Sequence, residues 1–288
     1  MKLFFKPKGV RAEYRYIPTA HGKLKLLIVK PEQLNGQTTG VLWIHGGGFA
    51  TGMAEMVYMG RAIDLVTQAN SVVVSPAYRL SLRAPYPVAL EQCHQALVWM
   101  KEHASELQIR DDQLMVGGES AGGGLTAALC LYERDHDGVN IAFQMPLYPM
   151  LDCYDTVTSA DNHAPIWNTR RNHQAWKLYL RKLDKSQPIP VYASPARCKD
   201  YRGLPPCYSF VGDIEPFYQE TVDYIDNLKK AGIDAKLDIY PDFYHAYDMV
   251  RDKKPLAKKA AENFLACFCE AQNSCFREQK KESDNRTD

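Results

Sequence analysis

The chain has 288 residues, of which 45% are hydrophobic, and its 35 basic and 34 acidic side chains leave a formal net charge of +1. This length and apolar content are typical of a globular protein with a substantial core. The charge balance argues against nucleic acid or an anionic membrane as the main partner, and no apolar run is long enough to span a membrane.

Strand and helix patterns alternate through most of the chain. Apolar and alternating runs predict strands over about 10–17, 24–29, 41–44, 71–75, 114–116, 141–147, 208–211 and 235–240. Helical spacing predicts helices over about 87–103, directly after residue 120, and over about 168–182, 215–230 and 255–270. The alternation predicts an α/β fold, with a mostly parallel sheet of about eight strands covered by helices on both faces. In such sheets the active site lies at the carboxyl ends of the strands. The charged segment 274–288 is expected to be a disordered tail.

The eight cysteines show neither a C-x-x-C pair nor zinc-finger spacing, so no metal site is predicted. Several lie in apolar contexts, which favours buried reduced thiols and a cytoplasmic protein. Residues 1–8 contain only a three-residue apolar run, and we do not expect a secretory signal.

A candidate nucleophile is Ser120, in the sequence Gly118-Glu119-Ser120-Ala121-Gly122. An apolar strand pattern precedes it and an apolar helical pattern follows, which is the context that gives G-x-S-x-G its meaning. The flanking glycines leave room for a sharp turn, and the free amides of the helix start would stabilise a nearby oxyanion. A serine in a glycine-rich turn is also a common helix N-cap, so catalysis needs a base, an acid and an oxyanion site elsewhere.

Candidate oxyanion donors follow the strand at 41–44, in His45-Gly46-Gly47-Gly48. The amides of Gly47 and Gly48 have no side chains in their way, and the Ala121 amide would be a third donor. The alternative is a flexible turn, which is less favoured where a strand runs directly into three glycines. His45 is expected to shape this loop.

The candidate base is His245, the one histidine of eight that follows the last predicted strand and lies downstream of an acid. The acid is Asp213 or Glu215, since one carboxylate must hold the imidazole in the right tautomer. Asp213 is shorter and closer to its strand. Glu215 reaches further and precedes Pro216, which suits a first helical turn. The other carboxylate would be an N-cap or a solvated charge.

Five stretches of the chain together form a more specific pattern than any one of them: His45–Gly48, Tyr78–Leu80, Gly118–Gly123, Tyr148–Asp152 and Tyr244–Tyr247. Through them the chain resembles, from about residue 41 to the final helix, the hormone-sensitive-lipase-like family of α/β-hydrolases. The family's acid is an aspartate in an Asp-Pro-Leu context, and Glu215-Pro216-Phe217 aligns with it, which favours Glu215 over Asp213. A second departure is Glu119, where the family usually has aspartate; we assign it no catalytic role. The order Ser120, Glu215, His245 is the one expected for this fold.

The resemblance also implies one α/β-hydrolase domain over 1–288, with a small cap from about 1–30 and 153–194. Phe49, Trp167, Trp176 and Tyr179 would line an acyl or alcohol pocket, although Trp167, Trp176 and Tyr179 could equally form the cap's own small core. Family members often dimerise through the last strand and helix, so a homodimer is an open possibility.

These features predict a cofactor-free serine carboxylesterase that acts on a small-molecule ester. The resemblance favours acyl chains from acetyl to about hexanoyl, and deacetylation of a sugar or another small metabolite is one version of this activity. An amidase or formamidase with the same triad is an alternative that nothing in the sequence separates. A non-catalytic binding protein, like the gibberellin receptors of this fold, is disfavoured because those lack the histidine that His245 supplies.

Overall fold

The computed structural model describes residues 7–34 and 36–280. In this part of the chain the strands are β1 Val10–Ile17, β2 Leu24–Pro31, β3 Thr38–Ile44, β4 Val72–Pro76, β5 Ile109–Glu119, β6 Phe143–Leu147, β7 Cys207–Gly212 and β8 Ala235–Tyr240. They form one eight-stranded sheet in the order β1-β2-β4-β3-β5-β6-β7-β8. β2 runs antiparallel to both of its neighbours, whereas the pairs from β4 across to β8 are parallel. The prediction of a mostly parallel sheet of about eight strands is confirmed.

Helices cover both faces of the sheet. They are α1 Ala62–Thr67, α2 Val88–Glu102, α3 Ala104–Leu107, α4 Ala121–Asp135, α5 Thr169–Tyr179, α6 Tyr218–Lys230, α7 Tyr247–Val250 and α8 Pro255–Ser274, with short 3-10 helices at Ala54–Tyr58 and Pro195–Arg197. Side chains alternate between the faces of a strand, so Leu26 and Ile28 join the core under α2, α4 and α6. Leu27 and Val29 join the opposite core, under α1 and α8. None of the helices described here is long and apolar enough to cross a bilayer.

The N-terminal part of the predicted cap requires correction. Residues 10–31 form the edge hairpin of the main sheet, because β1 pairs with β2 and β2 pairs in turn with β4. Leu26 to Val29 are fully buried, as expected for a strand covered on both faces. Residues 1–6 of the same prediction lie outside the described residues.

The predicted disordered tail divides into two parts. Residues 275–280 lie along the sheet: the Arg277 amide donates to the Asp112 carbonyl at 2.7 Å, and Gln279 Nε2 donates to the carbonyls of Asp111 and Asn140 at 2.8 Å each. Residues 281–288 lie outside the described residues.

Candidate active site

Ser120 lies at the junction of β5 and α4, in a backbone conformation with φ 59° and ψ −121°. A positive φ is costly for a residue with a side chain, and it aims the hydroxyl away from the strand and the helix. The glycines on either side allow this turn. A Cβ atom on Gly118 or Gly122 would overlap the carbonyl oxygen of Ile44 in β3. β3, β5 and α4 therefore approach too closely for any side chain at these two positions.

The structure brings Ser120, His245 and Glu215 into one chain of hydrogen-bonding contacts. His245 Nε2 lies 2.9 Å from Ser120 Oγ, and His245 Nδ1 lies 2.5 Å from Glu215 Oε2. Glu215 is fully buried, and its other oxygen accepts the Gly212 amide at 3.0 Å. The carboxylate is thus fixed by the end of β7 and orients the imidazole toward the serine.

Asp213 does not take part in this contact chain. It is exposed, and its Oδ1 accepts the Asp242 amide at 2.8 Å. That bond ties the loop after β7 to the loop after β8. Of the two predicted acids, the structure therefore brings only Glu215 to the imidazole of His245.

Three aromatic rings surround the imidazole. Tyr148 and Phe217 each present a ring edge-on to His245 with centroids 5.1 Å away, and the Trp167 ring lies at 6.1 Å. These contacts limit rotation of His245, which is only 3% exposed, and they exclude water from its ring faces. The Ser120–His245 contact therefore lies in a largely apolar environment, where a hydrogen bond is electrostatically stronger than in water.

The glycine loop after β3 presents free amides beside Ser120. Gly47 and Gly48 have φ values of 112° and 58°, and the Gly47 carbonyl accepts the amides of Ala50 and Thr51. Among the residues that the structure describes, neither Gly47 nor Gly48 donates a hydrogen bond from its own amide. Ala121 is the first residue of α4, so its amide has no partner within the helix. The amides of all three predicted donors are thus without an acceptor among the described residues.

The side chain of His45 helps to fix the glycine loop, as expected. Its ring stacks on Tyr78 at 4.2 Å, its Nδ1 lies 2.8 Å from the Gly46 carbonyl, and the Tyr78 hydroxyl donates to the His45 carbonyl. Burial lowers the pKa of His45 to about 4, so this imidazole is neutral at neutral pH.

A cavity of about 490 Å³ opens onto Ser120 and His245. Of the predicted pocket residues, Trp167 lines it, but the other three do not. Phe49 stacks on Tyr179 at 4.0 Å and lies 5.4 Å from Trp176, inside the core. The placement of Phe49, Trp176 and Tyr179 in the pocket was wrong because the buried face of α5 packs Trp176 and Tyr179 onto the domain. The insertion thus contributes Trp167 to the cavity wall, whereas Trp176 and Tyr179 pack into the core of the domain and not into a separate core of the cap.

Most of the cavity wall was missed from sequence. Besides Tyr148 and Ala246, it includes six apolar side chains, of which only the tryptophan was predicted: Met56, Met59, Ile166, Trp167, Met249 and Val250. One available signal was the stretch 53–59, which contains three methionines and follows the glycine loop closely in the chain. The other was the segment directly after His245.

Glu119 also borders the cavity, next to the serine. Its Oε2 accepts the Trp43 indole N–H at 2.7 Å, and a Cβ atom on Gly60 would overlap its Oε1. Burial raises the pKa of this carboxyl to about 8, although the bond from Trp43 opposes the shift. Glu119 is therefore protonated at neutral pH and places no negative charge beside Ser120.

Comparison with known proteins agrees with this geometry. The family described as "alpha/beta hydrolase fold" matches residues 41–249. Esterase LipI of Mycobacterium tuberculosis is 30% identical over 230 residues, covering 79% of this chain and 71% of that protein. Carboxylesterase NlhH of the same species is 29% identical over 235 residues, covering 79% and 72%. The solved structure titled bacterial heroin esterase has a TM-score of 0.88 at 30% identity, covering 93% of this chain and 86% of its own.

Proposed function

The chain belongs to the hormone-sensitive-lipase-like family of α/β-hydrolases, and on this premise we propose that it is a carboxylesterase in which Ser120, His245 and Glu215 form the catalytic triad. The observation that carries the proposal is the contact chain from Ser120 Oγ through the imidazole to Glu215, at 2.9 and 2.5 Å. Nucleophile, base and orienting acid within hydrogen-bond reach of one another are the signature of an activated serine.

In the proposed mechanism, His245 Nε2 accepts the Ser120 proton as Oγ attacks the ester carbonyl. Glu215 holds the Nδ1 proton and stabilises the imidazolium that forms. The amides of Gly47, Gly48 and Ala121 stabilise the tetrahedral oxyanion. His245 then protonates the leaving alcohol, and later deprotonates the water that releases the acid from the acyl-enzyme.

We further propose that the substrates are uncharged esters with short acyl chains, from acetyl to about hexanoyl. The wall of thioether, indole and branched alkyl groups supports an apolar substrate. Sugar hydroxyls buried against such a wall would lose their water partners, at a cost of about 1–3 kcal/mol for each unpaired group. The apolar wall therefore favours a simple ester over a sugar acetate.

The purified protein is expected to hydrolyse p-nitrophenyl acetate, butyrate and hexanoate, and Ser120→Ala is expected to abolish the activity. Circular dichroism of the variant is the control for folding. Wild-type activity in folded Ser120→Ala would refute the triad. Parallel assays with the corresponding anilides test the amidase alternative. Faster hydrolysis of the anilides than of the esters would reassign the reaction.

A further inference from the structure

His245 lies on a short loop that has little structure of its own. It is followed by Ala246, with φ 57°, and then by α7, which has only four residues. One helical turn is too short to be stable alone, so contacts with the rest of the molecule must fix its position. The placement of the imidazole depends on those contacts.

The main polar contact of α7 is buried. Asp248 is fully buried, and its Oδ2 lies 3.3 Å from Nε of Arg61, whose side chain is 9% exposed. This contact is an ion pair without hydrogen-bond geometry, since neither Asp248 oxygen has a hydrogen-bond partner among the described residues. Arg61 Nη1 also lies 2.9 Å from Oδ2 of Asp64, which is closer to solvent. One guanidinium thus contacts two carboxylates, one on α1 and one on the helix that follows His245.

The backbone at Arg61 is held beside the nucleophile. The neighbouring Gly60 packs directly on the Glu119 carboxyl, and the Arg61 amide faces the same group. Glu119 directly precedes Ser120 and is itself bonded to Trp43 of β3. The start of α1 is therefore anchored to the strand end that carries the serine.

We propose that Arg61 is a positioning residue that couples the turn carrying Ser120 to the loop carrying His245. Its backbone is fixed next to Ser120 through Glu119, and its side chain fixes α7 through Asp248. The ion pair of Arg61 and Asp248 thereby holds His245 Nε2 within reach of Ser120 Oγ. This inference rests on the proposed function, because it requires the serine and the histidine to act as nucleophile and base.

Tyr148 supports the same arrangement from the end of β6. Its ring packs edge-on against His245, and its buried hydroxyl lies near Asp248 without a hydrogen bond to it. The same tyrosine thus packs on the imidazole and lies close to the buried carboxylate of α7. A shift of α7 would disturb both contacts.

Asp248→Asn and Asp64→Asn are matched variants, since each removes one carboxylate from Arg61 and leaves it the other. The remaining charge partner limits the cost of a buried unpaired guanidinium, which a full loss of partners would impose. Asp248→Asn is expected to lower kcat on p-nitrophenyl butyrate by about 10- to 100-fold, because a displacement of about 1 Å at a reacting group has effects of this size. Asp64→Asn is expected to keep kcat close to wild type.

A second readout is the rate at which a fluorophosphonate labels Ser120, which does not depend on ester binding. The labelling rate is expected to fall in Asp248→Asn in parallel with kcat, and to stay near wild type in Asp64→Asn. If Asp248→Asn does not fold, Arg61→Lys replaces it, because an ammonium keeps the charge but cannot contact both carboxylates in the same way. Arg61→Lys is then expected to show the same fall in kcat and labelling.

Unchanged kcat and labelling in folded Asp248→Asn, or in its replacement, would overturn the inference. The inference would also be overturned if kcat and the labelling rate fell in both Asp248→Asn and Asp64→Asn in proportion to the fall in melting temperature. That pattern would indicate a purely structural role. Failure of the proposed function looks different: the wild-type protein would not hydrolyse the ester, or Ser120→Ala would hydrolyse it equally well.

Discussion

Glu119→Gln changes how the stability of the protein depends on pH. In the folded protein burial raises the pKa of this carboxyl to about 8, from an ordinary value of 4.5. Between these two pH values the unfolded chain has lost the proton and the folded protein has kept it. The free energy of unfolding of the wild type therefore falls as pH rises from about 4.5 to about 8, and Glu119 contributes no slope outside this window. Glutamine has no proton to lose, so the variant lacks this contribution.

The magnitude follows from the shift. A change of about 3.5 pKa units at 1.36 kcal/mol per unit corresponds to about 5 kcal/mol across the window. The substitution also has a cost that does not depend on pH. Two N–H groups, from the Trp43 indole and the Arg61 backbone, face the carboxyl, and the amide nitrogen of glutamine cannot accept from either. One lost hydrogen bond costs about 1 kcal/mol. The variant is thus expected to be slightly less stable than wild type near pH 4.5 and more stable above pH 8.

Urea unfolding of both proteins at intervals from pH 4.5 to 9, followed by circular dichroism, measures the difference. The matched control is Glu55→Gln. Burial of Glu55 is outweighed by hydrogen bonds from Lys25 and Tyr14, which lower its pKa. Its stabilising effect is therefore complete above the ordinary pKa of 4.5 and is lost only as pH falls through the lowered value. Glu55→Gln should be offset from wild type by a constant amount between pH 5 and 9. A constant offset for Glu119→Gln as well would refute the reasoning about its protonation.

Two further substitutions test the site. Glu215→Gln is expected to lower kcat on p-nitrophenyl butyrate by about 10³-fold or more, because the imidazole loses the group that holds its tautomer, whereas Asp213→Asn should change kcat little. The reverse ranking in steady-state kinetics would reassign the acid. Trp167→Ala enlarges the cavity and is expected to move the optimum of kcat/KM toward longer acyl chains in a series from acetate to decanoate. An unchanged chain-length profile would exclude Trp167 as a determinant of acyl length.

Much of the fold is visible in the sequence because buried strands are short apolar runs. The limits of the strands are less visible. β5 begins at Ile109, but only about 114–116 were predicted as a strand, because residues 110–113 are polar. The short helices α1, α3 and α7 were not predicted, since four to six residues show too little helical periodicity. The hairpin of β1 and β2 was recognised as two strands, but its place at the sheet edge depends on pairing with β4, which no local pattern records.

For the candidate site, the sequence predicted Ser120, Glu215 and His245, which the structure brings together, but not most of the cavity wall. Ser120 directly follows β5, and His245 lies in the loop after β8, so the fold brings both to one edge of the sheet. The choice of Glu215 over Asp213 required the family resemblance, and the structure gives the reason: Asp213 is bonded to the Asp242 amide instead. Phe49 was misplaced because an aromatic side chain next to a glycine loop suits a pocket and a core equally well.

The central claim is that Ser120 is activated by His245, and covalent labelling with a fluorophosphonate tests it most directly. Peptide mass spectrometry of the labelled wild-type protein should locate the adduct on Ser120. His245→Ala, folded by circular dichroism, should label far more slowly. An adduct on another residue, or equally fast labelling of Ser120 in His245→Ala, would contradict the claim.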